Sequence, residues 1–168
     1  MTDHIDTDSG AYLEVQNLVK YFGNDRAVDD ISFAVPKGAF LTLLGPSGCG
    51  KTTTLMSVAG LHSIDGGRIR VGDVVYTSPA EGLFLPPEKR DIGMVFQSYA
   101  IWPHMTVAQN VAYPLEIRKV EQSEIDDRVA EVLKLVGLTA EADKLATNLS
   151  GGQQQRASLA RAIVAKPR

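Results

Sequence analysis

Residues 45–52 read GPSGCGKT, three glycines followed by Lys and Thr, directly after the apolar run FLTLL at residues 40–44. The order fits G-x-x-x-x-G-K-[ST], a loop that leaves a buried strand, opens a helix and turns its backbone N–H groups towards phosphate oxygens. This loop restricts the fold more than any other part of the chain, because it requires a strand ending beneath a helix N-terminus. Gly45, Gly48 and Gly50 permit backbone turns that a side chain would block, and Pro46, Ser47 and Cys49 complete the loop. Lys51 is expected to reach β- and γ-phosphates as a compact, mobile cation. Thr52 is expected to give its hydroxyl to Mg²⁺, and Thr53 to add one at the α-phosphate. Cys49, the only cysteine, reads as a small loop residue, since no His adjoins it in sequence to act as base.

Around the loop, the periodicity changes along the chain. Leu13 and Val15, then Ile31, Phe33 and Val35, alternate with polar neighbours and predict antiparallel strands with one wet face. Residues 40–44 are instead continuously apolar, as in a parallel strand buried on both faces, and IGMVFQ at residues 92–97 is a second such candidate. Between them, residues 52–61 predict a helix, Asp65, Gly66 and Gly67 a turn, and Ile69, Val71, Val74 and Val75 a hairpin. Residues 78–89 predict a Pro- and Gly-rich loop. Ile125, Val129, Val132, Leu133 and Val136 follow helical spacing up to a capping Gly137. A last helix is predicted from Ser150, with Ala157, Ala160, Ile163 and Val164 on one face and Pro167 past its end.

Composition narrows the class. In 168 residues, 44% are hydrophobic and 22% charged, a globular balance with enough material for a core. The first ten residues, with three Asp and no Lys or Arg, read as a disordered tail, extended to residue 11 in the domain division. No apolar run approaches the ~20 residues of a membrane span, and the acidic start does not resemble a signal peptide. A net charge of -3 gives no global field for nucleic acid, so none is expected as a partner. A single cysteine forbids an internal disulfide and fits a reducing, cytoplasmic setting.

A second glycine-rich helix start, LSGGQ at residues 149–153, presents the Ser150 hydroxyl and the N–H groups of Gly151 and Gly152 to an anion. With the phosphate loop, VFQ at residues 95–97, QSYAIWPHMTVAQNV at 97–111 and the AxLARAIVxxP cadence of 157–167, it resembles the nucleotide-binding subunits of ATP-binding cassette (ABC) transporters. The similarity runs from about Tyr12 to Arg168 and is greatest to importer ATPases of the sugar, polyamine and ferric-iron kind. It implies ATP and Mg²⁺ as ligands and two subunits joined head to tail, with Ser150, Gly151, Gly152 and Gln153 closing on the partner's ATP. It also implies that Gln97 senses Mg²⁺ and the attacking water, and that Phe22 stacks on adenine, although Tyr21 is an open alternative. Trp102, Pro103 and His104 fall where the family meets its membrane subunits, Trp102 being a partner anchor if exposed and core if buried. The implied partners are transmembrane permease subunits and, indirectly, a periplasmic or extracellular solute-binding protein. The implied location is peripheral, on the cytoplasmic face of the membrane.

The same resemblance exposes a gap. The family places a metal-holding acid, a catalytic Glu and a γ-phosphate His after the signature helix, whereas here the last acidic residue is Asp143 and the last His is His104. Asp25, Asp29 and Asp91 do not follow a buried apolar strand in the required way. The expectation is therefore an α/β P-loop NTPase core left incomplete, with an N-terminal antiparallel β segment and an inserted helical subdomain. Its divisions are a tail at 1–11, the β segment and P-loop core at 12–97, the helical subdomain at 98–148, and the signature motif and helix at 149–168. The functional expectation is an importer ATPase truncated after its signature motif and without turnover alone; the alternative is a nucleotide-binding remnant or regulatory module.

Overall fold

The computed structural model describes residues 11–167, so the predicted tail lies outside it except for Ala11. Ala11 opens the first strand instead of closing the tail, because its backbone pairs with Pro36. The chain divides into two compact units, one ending at Arg90 and the other starting at Asp91.

In the first unit, β1 (Ala11–Phe22), β2 (Asp25–Pro36), β3 (Gly66–Val71), β4 (Val74–Ser78) and β5 (Leu83–Phe84) form one sheet in the order β2-β1-β3-β4-β5. Every pairing is antiparallel. Alternation sets the register, with Leu13 opposite Val35 and Val15 opposite Phe33, so that apolar side chains share a face. A bulge follows Val15, where Asn17 and Asp30 both take left-handed backbone angles and the Asn17 Nδ2 donates to Asp30 Oδ1 at 2.8 Å. Gly67 must be glycine at this bend, since a Cβ there would stand 2.4 Å from the Gln16 and Asn17 carbonyl oxygens. Val15, Leu18, Val28, Ile64, Ile69, Val71 and Tyr76 make the core, and α1 (Lys51–Ala59) adds the half-buried Val58.

Arg90 finishes this unit and is fully buried. It donates to the Ser57 and Val58 carbonyls at 2.9 and 2.8 Å, to the Leu85 carbonyl at 2.7 Å and to Thr77 Oγ1 at 2.7 Å. The Tyr76 hydroxyl donates to the Arg90 carbonyl in return. The first two acceptors are end carbonyls of α1, of which Ser57 also accepts the Gly60 N–H at 3.1 Å, and a cation there complements the helix dipole.

The second unit is helical: α2 (Val107–Ile117), α3 (Gln122–Leu135) and α4 (Gly151–Ile163). Val107, Val111, Leu115, Ile125, Val129, Leu133, Ala157, Ala160 and Val164 pack into its core. The predicted spacing of α3 is realised, and Gly137 stands past its end at φ 65°. Asn110, buried on α2, fixes the preceding loop by accepting the Trp102 N–H at 2.9 Å and donating to the Trp102, Met105 and Thr106 carbonyls.

Both expected parallel strands are absent. Residues 40–44 and 92–97 have no strand partner, with Phe40 94% and Leu44 95% exposed and Ile92 and Val95 also on the surface. A strand buried on both faces takes its hydrogen bonds from parallel neighbours, and among the described residues every extended pairing is antiparallel, in the sheet and in one isolated bridge between Thr106 and Leu145. The P-loop core is thus represented by the loop and α1, without the sheet expected beneath them.

Candidate functional site

The phosphate loop sits at the start of α1. Its N-cap, Gly50, has φ 89° and makes no side-chain cap, which leaves the first N–H groups of the helix without intrahelical acceptors. A Cβ at Gly50 would meet the Ala27 carbonyl at 2.5 Å, so the turn excludes any larger residue on steric grounds. Ala27, Gly48, Gly50, Lys51, Thr52 and Thr53 line a cleft of about 130 Å³. Gly45, Pro46, Ser47, Gly48, Cys49 and Thr52 are exposed, and Thr53 is half-buried. The Lys51 ammonium folds back on its own loop, donating to the Gly45 carbonyl at 2.8 Å and the Pro46 carbonyl at 2.6 Å, with Cys49 Sγ at 3.4 Å.

This donor set fits a polyphosphate. Uncapped N–H groups, an ammonium held only by neutral carbonyls and a cysteine sulfur, and an exposed hydroxyl at the second helical position all favour anionic oxygens, and none needs the fold to change. Thr52 also suits Mg²⁺, which keeps most of its waters and takes few protein ligands. Two of the three acidic alternatives are engaged elsewhere: Asp29 pairs with Arg26 and Asp91 with Arg118, at 2.5 and 2.9 Å. Among the described residues no cluster of three or more His, Cys, Asp or Glu side chains is arranged to hold a metal ion.

Phe22 ends β1 with its ring 47% exposed, His62 edge-on at 5.3 Å between centroids and the Lys20 ammonium 5.3 Å from its ring. Tyr21 is engaged: its hydroxyl accepts the Arg26 Nε at 2.8 Å and the Arg26 guanidinium covers the ring. Of the two aromatics, Phe22 is the one with a face to offer.

In the helical unit, Gln97 does not follow a buried strand as predicted; it lies exposed in a turn, because residues 92–97 lack the neighbours that would make them one. Ser150 caps α4 in a closed capping box with Gln153. Gly151 and Gly152 begin the helix exposed, and neither has a positive φ. A Cβ at Gly152 would meet nothing within 4 Å, and one at Gly151 only the Tyr99 hydroxyl at 3.8 Å. Alanine would therefore fit both positions and favour the helix by up to about 1 kcal/mol each, so nothing among the described residues requires these glycines. Trp102 is half-buried, tilted against Tyr113 at 4.3 Å and under the Arg161 guanidinium at 4.7 Å, between the two alternatives that the sequence left open. Pro103 and His104 are exposed.

Sequence reasoning missed Arg90, Asn110 and Arg161. Each works through backbone carbonyls, near ones for Asn110 and mostly distant ones for Arg90 and Arg161, for which residue type alone gives no pattern. No helix among the described residues is long and apolar enough to cross a membrane.

The chain is 54% identical over 157 residues to the trehalose/maltose import ATP-binding protein MalK of Thermococcus litoralis, covering 94% of this chain and 42% of that protein. It is 48% identical over 156 residues to the spermidine/putrescine import ATP-binding protein PotA of Pseudomonas aeruginosa, covering 93% and 41%. It is 50% identical over 152 residues to the Fe(3+) ions import ATP-binding protein FbpC of Brucella suis, covering 90% and 41%. The chain thus spans about two fifths of the length of these relatives. The ABC transporter family model matches residues 28–168, and the chain belongs to that family.

Proposed function

We propose that this chain is the nucleotide-binding part of an ABC importer's ATP-binding subunit, in which Mg-ATP binding and hydrolysis drive solute uptake. One observation carries the proposal: the chain has two glycine-rich helix starts, one uncapped beside Lys51 and Thr52, the other with two exposed glycines at positions that would accept a Cβ. A single nucleotide needs one such start, so the second serves a nucleotide on another copy. Two copies joined head to tail satisfy both through a two-fold, isologous interface.

In this reading residues 12–97 belong to the β segment and P-loop core, 98–148 to the helical subdomain and 149–168 to the signature motif and helix. Gly45, Pro46, Ser47, Gly48, Cys49 and Gly50 wrap the phosphates through the backbone. Lys51 exchanges two neutral carbonyl acceptors for phosphate oxygens, and the charge-assisted bonds so formed are roughly twice as strong. Thr53 adds a hydroxyl, and Phe22 stacks on the base. Ser150, Gly151, Gly152 and Gln153 close over the partner's nucleotide. Thr52 and Gln97 hold Mg²⁺, whose chemistry is to neutralise phosphate charge, and Gln97 orients water. Permease subunits dock on the surface of Trp102, Pro103 and His104 from the cytoplasmic face, and an external solute-binding protein delivers the cargo.

The test is binding of a fluorescent ATP analogue to the wild-type chain and to Lys51→Ala. Loss of affinity by tenfold or more in a folded Lys51→Ala protein supports the reading. Equal affinity in both would overturn it.

A further inference from the structure

Arg161 lies in the last turn of α4 and is 9% exposed. Its Nη1 donates to the Ala100 carbonyl at 2.5 Å and its Nη2 to the Tyr99 carbonyl at 3.0 Å, while the guanidinium covers the Trp102 ring at 4.7 Å. No carboxylate pairs with it among the described residues. A buried cation whose acceptors are two consecutive carbonyls fixes a backbone shape, and the shape here is an uncommon one. Tyr99 and Ala100 are both left-handed, at φ 60° and 47°, a conformation that residues with a side chain seldom adopt. The turn also receives hydrogen bonds from the Tyr99 N–H to the Phe96 carbonyl and from the Ala100 N–H to the Ser98 carbonyl.

The same segment touches α4 at two further points. The Tyr99 hydroxyl reaches the helix start, 3.8 Å from where a Gly151 Cβ would stand. At the other end, a Cβ on Gly93 would be 2.4 Å from the Ala162 carbonyl, so backbone lies directly on backbone. Gln97 sits in the middle of this fastened stretch.

We propose that Arg161 is a positioning residue that makes the loop carrying Gln97 move as one body with the helix opened by Ser150. Closing of Gly151 and Gly152 on a phosphate then determines where Gln97 stands. The inference rests on the reading of Gln97 as a group that meets metal and water, and it assigns a task to a residue that touches neither. Binding of nucleotide to the phosphate loop does not require it; hydrolysis does.

The experiment is a double-mutant cycle in the full-length protein, with Arg161→Gln, Arg161→Lys and Gln97→Ala, reading ATP affinity, kcat and the Mg²⁺ concentration for half-maximal hydrolysis. Expected is ATP affinity within about twofold of wild type, with kcat lowered on the order of 10²-fold in Arg161→Gln, the scale of a 1 Å misplacement. The Mg²⁺ requirement rises in Arg161→Gln as in Gln97→Ala. The double variant is no worse than Gln97→Ala alone, because one residue acts through the other. Arg161→Lys keeps the buried charge but not the fork, so it folds and shows the same pattern more weakly, which covers a failure of Arg161→Gln to fold. Multiplicative losses in the double variant, or an unchanged kcat in a folded Arg161 variant, overturn the proposal. A Lys51→Ala control that still binds and hydrolyses ATP overturns the parent reading instead, and the two failures are distinct.

Discussion

Ser150 and Gln153 hold each other at the start of α4: the Gln153 N–H donates to Ser150 Oγ at 3.4 Å and the Ser150 N–H donates to Gln153 Oε1 at 2.9 Å. The Ser150 hydroxyl also donates to Gln153 Oε1 at 3.1 Å. Both polar side chains are thus spent locally, and what the helix start offers outward is the backbone of the two glycines between them. Gly152→Ala is therefore predicted to stabilise α4 by up to about 1 kcal/mol while abolishing ATP hydrolysis in the full-length protein. Thermal unfolding and an ATPase assay on one preparation check it. Retained hydrolysis would mean that no partner phosphate approaches this site.

Arg90→Met removes donors from the Ser57, Val58 and Leu85 carbonyls and from Thr77. The Ser57 carbonyl keeps the Gly60 N–H; leaving the other buried acceptors without donors costs about 1–3 kcal/mol each, whereas relief of the buried charge returns part of that sum. The predicted net loss is on the order of 3 kcal/mol, measured by urea denaturation. A loss below about 1 kcal/mol would show that the guanidinium is not what closes α1 onto the sheet.

Ser158 is 1% exposed on α4 and its hydroxyl has no hydrogen-bond partner among the described residues. Ser158→Ala is predicted to raise stability by about 1 kcal/mol, since it removes an unsatisfied buried group and improves helix propensity. For a chain of this size that corresponds to a rise in Tm of roughly 2–4 °C. A lower Tm would place a bonding partner on the hydroxyl in solution.

Glu14 is buried on β1, where the Arg70 guanidinium bonds its carboxylate at 2.7 and 2.9 Å and holds its pKa below the ordinary value of about 4.3, against the opposing effect of burial. Asp65 is lowered as well, first by the Tyr21 N–H that it accepts and then by Lys20. Both groups are depressed on folding, so their contribution is present above the ordinary carboxylate range. It is lost as the pH falls below that range and through the folded values. Stability against urea should decline below about pH 4, and Glu14→Gln should flatten that decline while lowering stability at neutral pH. An unchanged acid limb in Glu14→Gln would remove this ion pair from the account.

What the sequence disclosed follows from how far each signal reaches. Alternation in β1 and β2 and the spacing of α3 are decided within a few residues, and the structure follows them. Residues 40–44 and 92–97 read as strands because their composition suits one, but strand state is conferred by partners, and the described residues provide none in parallel. The phosphate loop was legible down to its glycines, and Gly50 meets the steric demand that the motif implies. The folding back of Lys51 onto Gly45 and Pro46 was not, since it depends on loop geometry and not on residue type.

The sheet of the first unit runs entirely through antiparallel neighbours, its last strand ends at Phe84 and its locking guanidinium belongs to Arg90. Everything this unit packs together is therefore synthesised before the helical unit begins. Domains generally fold as units, N-terminal first, during synthesis. A nascent chain should accordingly close its sheet on the ribosome as soon as residue 90 clears the exit tunnel. Translation-arrest force measurements on chains of increasing length should record a pull at that point, and Arg90→Met should delay or erase it. The phosphate loop and the helix it opens would then be complete before the segment carrying Gln97 has been made.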